Sequence, residues 1–482
     1  MKLDLLRLGG VAVLLTCSFG IIVLWVYTDL VKYGREWIRF RPGRLLLRNT
    51  LVTEDKNISD PINTSLPSLP ASALPILQNE VQSKYMMPTK DYLTSLRFIK
   101  NQAMTHVDCD AIMRGDKTAI KVAGTEREIL YSEKNGTRKN MLLNSDQTVA
   151  SRADNCTLYV KSRKYITSPL TLEEAEYPIA YIISIYKNIQ SFEHLLRTIY
   201  QPQNIYCIHI DQKALAEFQT RVMKIIRCFN NVFLAQHMTR IWYGHWTIVQ
   251  ASLYCMEDLI KRKNDYRWHY VINTCGQDYP TKTNLEIIRA LKTLDGLNSV
   301  PSRTIKITEE KYRRFQFVYN HSMNIDIDHG GLYKTDVKKE PPPHNIQPFT
   351  GKDYFVFKRE AVEFLLTDQR VLDFLEWAKD TKIPDETVWA TLQRMYPRVP
   401  GSTPPDKKYD TYSGNTLSRT QQWQGPSTIC GGKFLRRICV YGCADLNGII
   451  EKKPLFANKF ATDVDIFAMN CLAEWIRNRT ID

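Results

Sequence analysis

Acidic side chains and isolated bases are the groups in this sequence that could do chemistry. Three Asp-x-Asp triplets occur: Asp108-Cys-Asp110, Asp326-Ile-Asp328 and Asp463-Val-Asp465. Carboxylates spaced this way can grip a divalent cation that is itself bound to a diphosphate. The triplet is common by chance, however, and none of the three directly ends a strong apolar strand, so no metal site is assigned. A further acidic pair, Asp385-Glu386, stands at the head of the helical stretch ETVWATLQRM. An acid there is ordinarily a helix-capping device contributing about 0.3–1 kcal/mol, and Asp385 is the better N-cap. Arg436 and Lys459 are lone bases, a residue class that usually ends in solvent. No G-x-G-x-x-G, P-loop or G-x-S-x-G is present, which removes the simplest dinucleotide, P-loop and hydrolase readings. None of the cysteines forms a C-x-x-C or Cys/His metal pattern.

These groups need a scaffold, and the clearest one begins at Pro178. The apolar run 178–186 is followed by the helix-like SFEHLLRTIY, the strand-like NIYCIHID (204–211), a helical stretch to Cys228, VFLA (232–235), a helix around 250–263, and WHYVIN (268–273). Strands alternating with helical segments predict βαβ units and a largely parallel α/β sheet. Ligands in such sheets bind beyond the carboxyl ends of the strands, which makes Ser184, Asp211 and the loop after Asn273 candidates by position.

The 482 residues are 44% hydrophobic, enough for a sizeable core. Lys+Arg total 65 against 51 Asp+Glu, a net charge of +14. The excess is spread along the chain without a polybasic block, so a nucleic-acid partner is not expected. Leu8 to Tyr27 carries no charge and has the roughly 20 residues that a helix needs to cross a bilayer. It is longer than the apolar part of a cleaved signal peptide, about 7 to 15 residues. Counting Lys and Arg alone would put the large C-terminal part in the cytosol. Six sequons beyond the span, at Asn57, Asn63, Asn135, Asn155, Asn320 and Asn478, argue for a secretory lumen instead. Ten cysteines beyond the span suit an oxidising compartment. The expected layout is a cytoplasmic tail (1–7), a signal anchor (8–28), a Ser/Pro-rich stem (29–105) and a lumenal catalytic domain (106–482).

From about Tyr177 to Trp475 the sequence resembles the β-1,6-N-acetylglucosaminyltransferases of the core 2 and I-branching type, glycosyltransferase family 14. The resemblance runs through PQNIYCIHID, INTCGQDYPTKTNLEIIR, KREAVEFLL, WAKDTKIPDETVWATLQRM, VPGS, RRICVYG and PLFANKF. It implies a GT-A-type fold with a Rossmann-like nucleotide-binding half, single-pass type II placement in the Golgi membrane, and UDP-GlcNAc as donor. It further implies inversion at the anomeric carbon, no metal or other cofactor, and a glycan acceptor on a glycoprotein. Whether the chain works alone or as a homodimer stays open.

The resemblance also assigns roles. Glu386 takes the position of the catalytic base, which must reach within about 3 Å of the attacking hydroxyl. Arg436 and Lys459 match the pair that binds the diphosphate, where fixed cations can offset the charge of the leaving nucleotide, and Lys408 is a weaker third. Ser184, Ile185, Tyr186, Asp211 and Tyr243 fall on the donor side, with backbone expected to matter more than side chain at 184–186. The family's cysteine pattern implies the pairs Cys109–Cys471, Cys156–Cys228, Cys207–Cys255 and Cys430–Cys439. Cys275 is then free, and Cys443 and Cys17 are extra.

On the acceptor side the match weakens. The family's acidic residue and two bases correspond to Val300, Thr308 and Lys311. Trp423 keeps an aromatic sugar platform, but Gly425 and Gly448 replace larger aromatic residues. Lost hydrogen-bonding partners for a sugar hydroxyl can change specificity by orders of magnitude. Two functions follow: a β-1,6 branching transferase acting on the 6-hydroxyl of galactose or N-acetylgalactosamine, or a non-catalytic Golgi protein that binds donor or glycan on the same fold.

Overall fold

The computed structural model describes residues 88–97, 106–132, 149–322, 331–404 and 417–482. The expected anchor, the sequons Asn57, Asn63 and Asn135, the triplet Asp326-Ile-Asp328, and Lys408 lie outside the described residues. Among the described residues no helix is long and apolar enough to cross a membrane.

The central sheet grows from four strand-like runs. Strands β1 (Ile179–Ile185), β2 (Ile205–Ile210), β3 (Val232–Leu234) and β4 (Tyr270–Cys275) run parallel. Side chains of β1 and β2 are buried on both faces, the condition under which a strand reads as an unbroken apolar run. The fourth strand lies two residues later than the sequence suggests, because Trp268 is still in a turn, its amide bonded to the Tyr266 carbonyl. The chain then leaves the sheet through β5 (Asp278–Pro280), β6 (Ser302–Thr304), the hairpin β7 (Phe317–Ser322) with β8 (Gly331–Lys338), and β9 (Phe349–Gly351). It returns as β10 (Val356–Lys358), antiparallel to β4, giving the order β10-β4-β1-β2-β3. After β11 (Arg419–Gln421) and the hairpin β12 (Lys433–Leu435) with β13 (Ile438–Val440) comes β14 (Phe456–Asn458). This last strand joins β11 and β5 in a second, three-stranded sheet.

Helices cover both faces. Tyr181, Ile183 and Ile185 of β1 face a core shared with α1 (Ile189–Ile199), α2 (Ala216–Ile226) and α4 (Asn284–Lys292). Ala180 and Ile182 point the other way, into a core shared with α3 (Thr247–Lys261), α5 (Gln369–Ala378) and α6 (Asp385–Gln393). The period of two in β1 therefore builds a three-layer sandwich. A third core gathers the helix Lys117–Tyr131 around the last helix, α7 (Ile466–Ile481).

All four implied disulfides are present, and Cys275 and Cys443 are free. Cys109–Cys471 joins positions 362 residues apart. A bridge that closes so long a loop is worth several kcal/mol, about 2–5. The compact part also reaches further back than 106. The helix Lys90–Ser95 lies in the expected stem, yet Leu96 is buried against Ile166 and Leu170, and the Tyr92 hydroxyl accepts from the Thr167 amide at 2.7 Å.

Candidate active site

Strand order reverses at β1: the chain runs outward through β2 and β3, then crosses back to place β4 on the other side. The crevice beyond the ends of β1 and β4 is where an α/β sheet accepts ligands. Ser184 lies across from His209 on one side and Cys275 on the other, and its carbonyl accepts from the Gly276 amide at 3.0 Å. Ile185 is buried and reaches the crevice through backbone alone, its carbonyl accepting from the Asp211 amide at 2.9 Å. Tyr186 is exposed.

Asp211 is buried, and its carboxylate organises the loops. Oδ1 accepts from the amides of Lys213 (2.9 Å) and Ile241 (3.3 Å), while Oδ2 lies 3.6 Å from the Lys213 ammonium. That ammonium in turn sits over the rings of Trp242 (4.5 Å) and Tyr186 (5.6 Å). Lys213, which the sequence reading passed over, is thus the hub joining Asp211, Tyr186 and the loop of Tyr243.

Glu386 is the second residue of α6. The turn before it is held in an unusual way: Ile383 has φ 54°, a left-handed conformation that β-branched residues avoid, and its amide donates to Gly244 O at 2.8 Å. Strain of this kind costs about 1–3 kcal/mol and concentrates at functional sites. Asp385 is not the N-cap that the sequence suggests. Pro384 occupies the cap position and contributes no side-chain bond, while the Asp385 side chain turns inward, its Oδ1 buried without a partner. Burial drives its pKa well above the ordinary value, and the Asp353 and Glu386 carboxylates raise it further. Burial likewise pushes Asp353 up to about 6.

The half-buried Glu386 carboxylate accepts from Lys311 Nζ at 3.0 Å and Arg314 Nη1 at 2.9 Å. Burial acts to raise its pKa, but the two cations outweigh burial and hold it below the ordinary 4.5. The contrast divides the pair: the cations that Glu386 faces favour its ionised form, and burial favours the protonated form of Asp385. Lys311 also reaches Thr350 Oγ1 at 3.4 Å. Val300 is fully buried in the core, Thr308 is exposed, and the base that joins Lys311 is Arg314, one turn further along.

Tyr243 feels charge from both sides of the crevice. Burial raises its hydroxyl, as do the charges of Glu386 and Asp385, while Arg314 and Arg436 act to lower it, so all four lie within electrostatic reach. Arg436 projects from the two-residue turn between β12 and β13, where Arg436 (φ 52°) and Arg437 (φ 65°) both adopt the left-handed conformation that Asn-Gly normally supplies. Lys459 follows β14 and is pinned to β13, its amide donating to Cys439 O (3.3 Å) and its carbonyl accepting from Tyr441 N (2.9 Å). Burial lowers the Lys459 ammonium, and the Arg436 charge lowers it further. An anion between the two bases would relieve both effects. Trp423, half-exposed at 53%, pairs through its backbone with Ile438 of the same hairpin.

Beneath these groups lies a buried ion pair, Arg419 with Asp278 at 3.3 Å, that the sequence reading missed. It locks β11 to β5, and Asp278 also accepts from Asn458 Nδ2 at 2.8 Å, immediately before Lys459. Burial pushes the Cys275 thiol beside it up to about 12, which leaves this cysteine an un-ionised packing group.

The other singled-out residues are structural or peripheral. Asp108 and Asp465 cap the helices that follow them, accepting from Ala111 N and Ala468 N at 3.0 Å. Cys430, Cys439 and Asp445 converge, but the two sulfurs are bonded to each other and are not free to ligate a metal. A side chain at Gly448 would enter open space. Of the sequons described, Asn155 and Asn320 are exposed and Asn478 is half-buried.

The family model for the Core-2/I-Branching enzymes matches residues 179–450, more than half of the chain. The chain is 38% identical over 411 residues to the rat β-1,3-galactosyl-O-glycosyl-glycoprotein β-1,6-N-acetylglucosaminyltransferase 3, covering 83% of this chain and 89% of that one. The human protein of the same name is 39% identical over 393 residues, covering 80% and 86%. A second human β-1,3-galactosyl-O-glycosyl-glycoprotein β-1,6-N-acetylglucosaminyltransferase is 39% identical over 385 residues, covering 78% and 86%. Matched by the family model over more than half of its length, and sharing 38–39% identity with relatives of which it covers 86–89%, the chain belongs to the Core-2/I-Branching enzyme family.

Proposed function

We propose that the protein is an inverting β-1,6-N-acetylglucosaminyltransferase that moves N-acetylglucosamine from UDP-GlcNAc to the 6-hydroxyl of galactose or N-acetylgalactosamine in O-glycans or lactosamine chains. The observation that carries this reading is the Glu386 carboxylate, which accepts from Lys311 and Arg314 and is held below its ordinary pKa by them. In the reaction the acceptor O6 attacks C1 of the donor sugar as the C1–O bond to UDP breaks. The hydroxyl proton passes to Glu386, and the configuration at C1 inverts. Arg436 and Lys459 take up the charge that develops on the departing diphosphate, so the reading requires no metal.

Two hydrogen bonds from cations make Glu386 a weak base in the free protein. An acceptor sugar that draws Lys311 and Arg314 onto its own oxygens restores basicity at the moment of reaction, which ties proton transfer to acceptor binding. The family membership and the sequons fit a type II protein of the Golgi membrane with its catalytic part in the lumen. A donor- or glycan-binding protein without activity has no need of an ionised carboxylate so placed. Incubation with UDP-GlcNAc and a panel of core 1, core 3 and polylactosamine acceptors separates the two readings. A β-1,6-linked product by NMR supports the transferase, and UDP-GlcNAc bound but never consumed supports the binder.

A further inference from the structure

A cavity of about 250 Å³ opens on a different part of the molecule, between the C-terminal ends of α1 and α7 and the segment 162–166. It shares no residue with the site around Glu386. Its lining carries four cations: Arg163, Lys164, Arg197 and Arg477. One buried carboxylate answers them. Glu193 accepts from Arg163 through both oxygens, at 2.8 and 2.6 Å, and lies 3.9 Å from Arg197. Lys164 donates to a neutral group, the Arg97 carbonyl, at 2.7 Å. Arg477 has no hydrogen bond or ion pair among the described residues, and its Nη1 is buried without a partner. Burial and the Arg197 charge together push its pKa down to about 10.

A guanidinium nitrogen buried without an anion is an expensive arrangement, since its desolvation is then uncompensated. The group that would satisfy it is a planar or tetrahedral oxoanion, which arginine forks grip through paired hydrogen bonds. The space is too small for an extended chain. Its walls also include Leu96, Ile166 and Ile476, which offer apolar contact to ring carbons. We propose that this cavity binds an oxoanion of monosaccharide size, a sulfate or phosphate ester or a carboxylate carried on a sugar ring, with Arg477 and Arg197 as its principal ligands.

The test is thermal unfolding of the purified full-length protein at constant ionic strength, titrated separately with inorganic sulfate, inorganic phosphate, a sugar 6-sulfate and glucuronic acid. The wild-type chain should show a saturable rise of about 3 °C with at least one probe near 100 times its Kd, and the strongest probe identifies the natural anion. Arg477→Gln should lose that rise while keeping its response to UDP. In anion-free buffer it should unfold no earlier than the wild type, because an unpaired buried charge has been removed. Lys164→Gln, a milder change, should raise the saturation midpoint several-fold. No saturable response in the wild type, an equal response in Arg477→Gln, or an anion-free unfolding temperature for Arg477→Gln below that of the wild type would overturn the proposal. If Arg477→Gln does not fold, an unchanged midpoint in Lys164→Gln does the same.

Discussion

The amide of Ile383 donates to the carbonyl of Gly244 at 2.8 Å, and through this bond the loop that carries Tyr243 holds the turn that carries Glu386. Donor-side and base-side elements, about 140 residues apart in sequence, are thereby fixed to each other. Gly244 has φ 72°, and a Cβ there would stand 3.2 Å from Ile383 Cγ1. Gly244→Ala should therefore destabilise the protein by about 1–2 kcal/mol from the backbone alone and tilt the entrance of α6. We expect kcat to fall at least tenfold with UDP affinity nearly unchanged, as read by steady-state kinetics beside UDP titration.

Lys311 and Arg314 hold the Glu386 pKa down, so removing either cation should raise it. The acid limb of the pH profile of kcat/KM should move to higher pH in Lys311→Met and Arg314→Met. The linkage has the same sign for stability. A carboxylate whose folded pKa is depressed stabilises above its unfolded value, ordinarily 4.5, and loses that contribution as pH falls through the folded value. Both variants should accordingly show a shallower loss of stability below pH 4.5 than the wild type.

Asp353 behaves in the opposite direction. Burial raises its carboxyl to about 6 from an ordinary 3.8, so the folded protein favours its protonated form. Its contribution is complete below pH 3.8 and is lost as pH rises through 6. Asp353→Asn removes that dependence and should stabilise the protein at pH 7 relative to pH 5. Chemical denaturation at the two pH values checks this, and an unchanged pH difference would count against the assignment.

Lys459 and Arg436 are the groups assigned to the departing diphosphate. Removing a single preorganised donor of this kind typically costs about 10²–10³ in kcat. Lys459→Met should lose at least that factor and bind UDP more weakly, while uridine, which lacks the phosphates, should bind the variant and the wild type alike. Isothermal titration with the two ligands distinguishes a diphosphate contact from a general disturbance of the pocket.

Much of the scaffold is legible in the sequence because it follows from local pattern. The strands Ile179–Ile185 and Ile205–Ile210 are buried on both faces, and the runs that contain them read as strands without help from tertiary contacts. The disulfides and Glu386 come from resemblance to a family and could not have been obtained from spacing. What escaped depends on three-dimensional neighbours. Asp385 looks like an N-cap locally, but Pro384 takes the cap position and the Asp385 side chain is buried. Arg314 carries no signal of its own in the sequence: it joins Lys311 on the Glu386 carboxylate only once the 3₁₀ segment Glu310–Phe315, with three residues per turn, sets the two bases on one face. The paired left-handed arginines at 436 and 437 carry no turn signature, since Asn-Gly is the usual signal for such a hairpin. The helix Lys90–Ser95 follows a Ser/Pro-rich stretch whose composition conceals where the stem stops.

Transfer of radiolabelled N-acetylglucosamine from UDP-GlcNAc by the purified full-length protein in EDTA, beside Glu386→Gln, tests the central claim most directly. The account predicts product that survives EDTA in the wild type and falls by a factor of about 10²–10⁴ in the variant, with UDP binding retained in both. Product formed equally well by Glu386→Gln, or formed only when a divalent cation is restored, would contradict it.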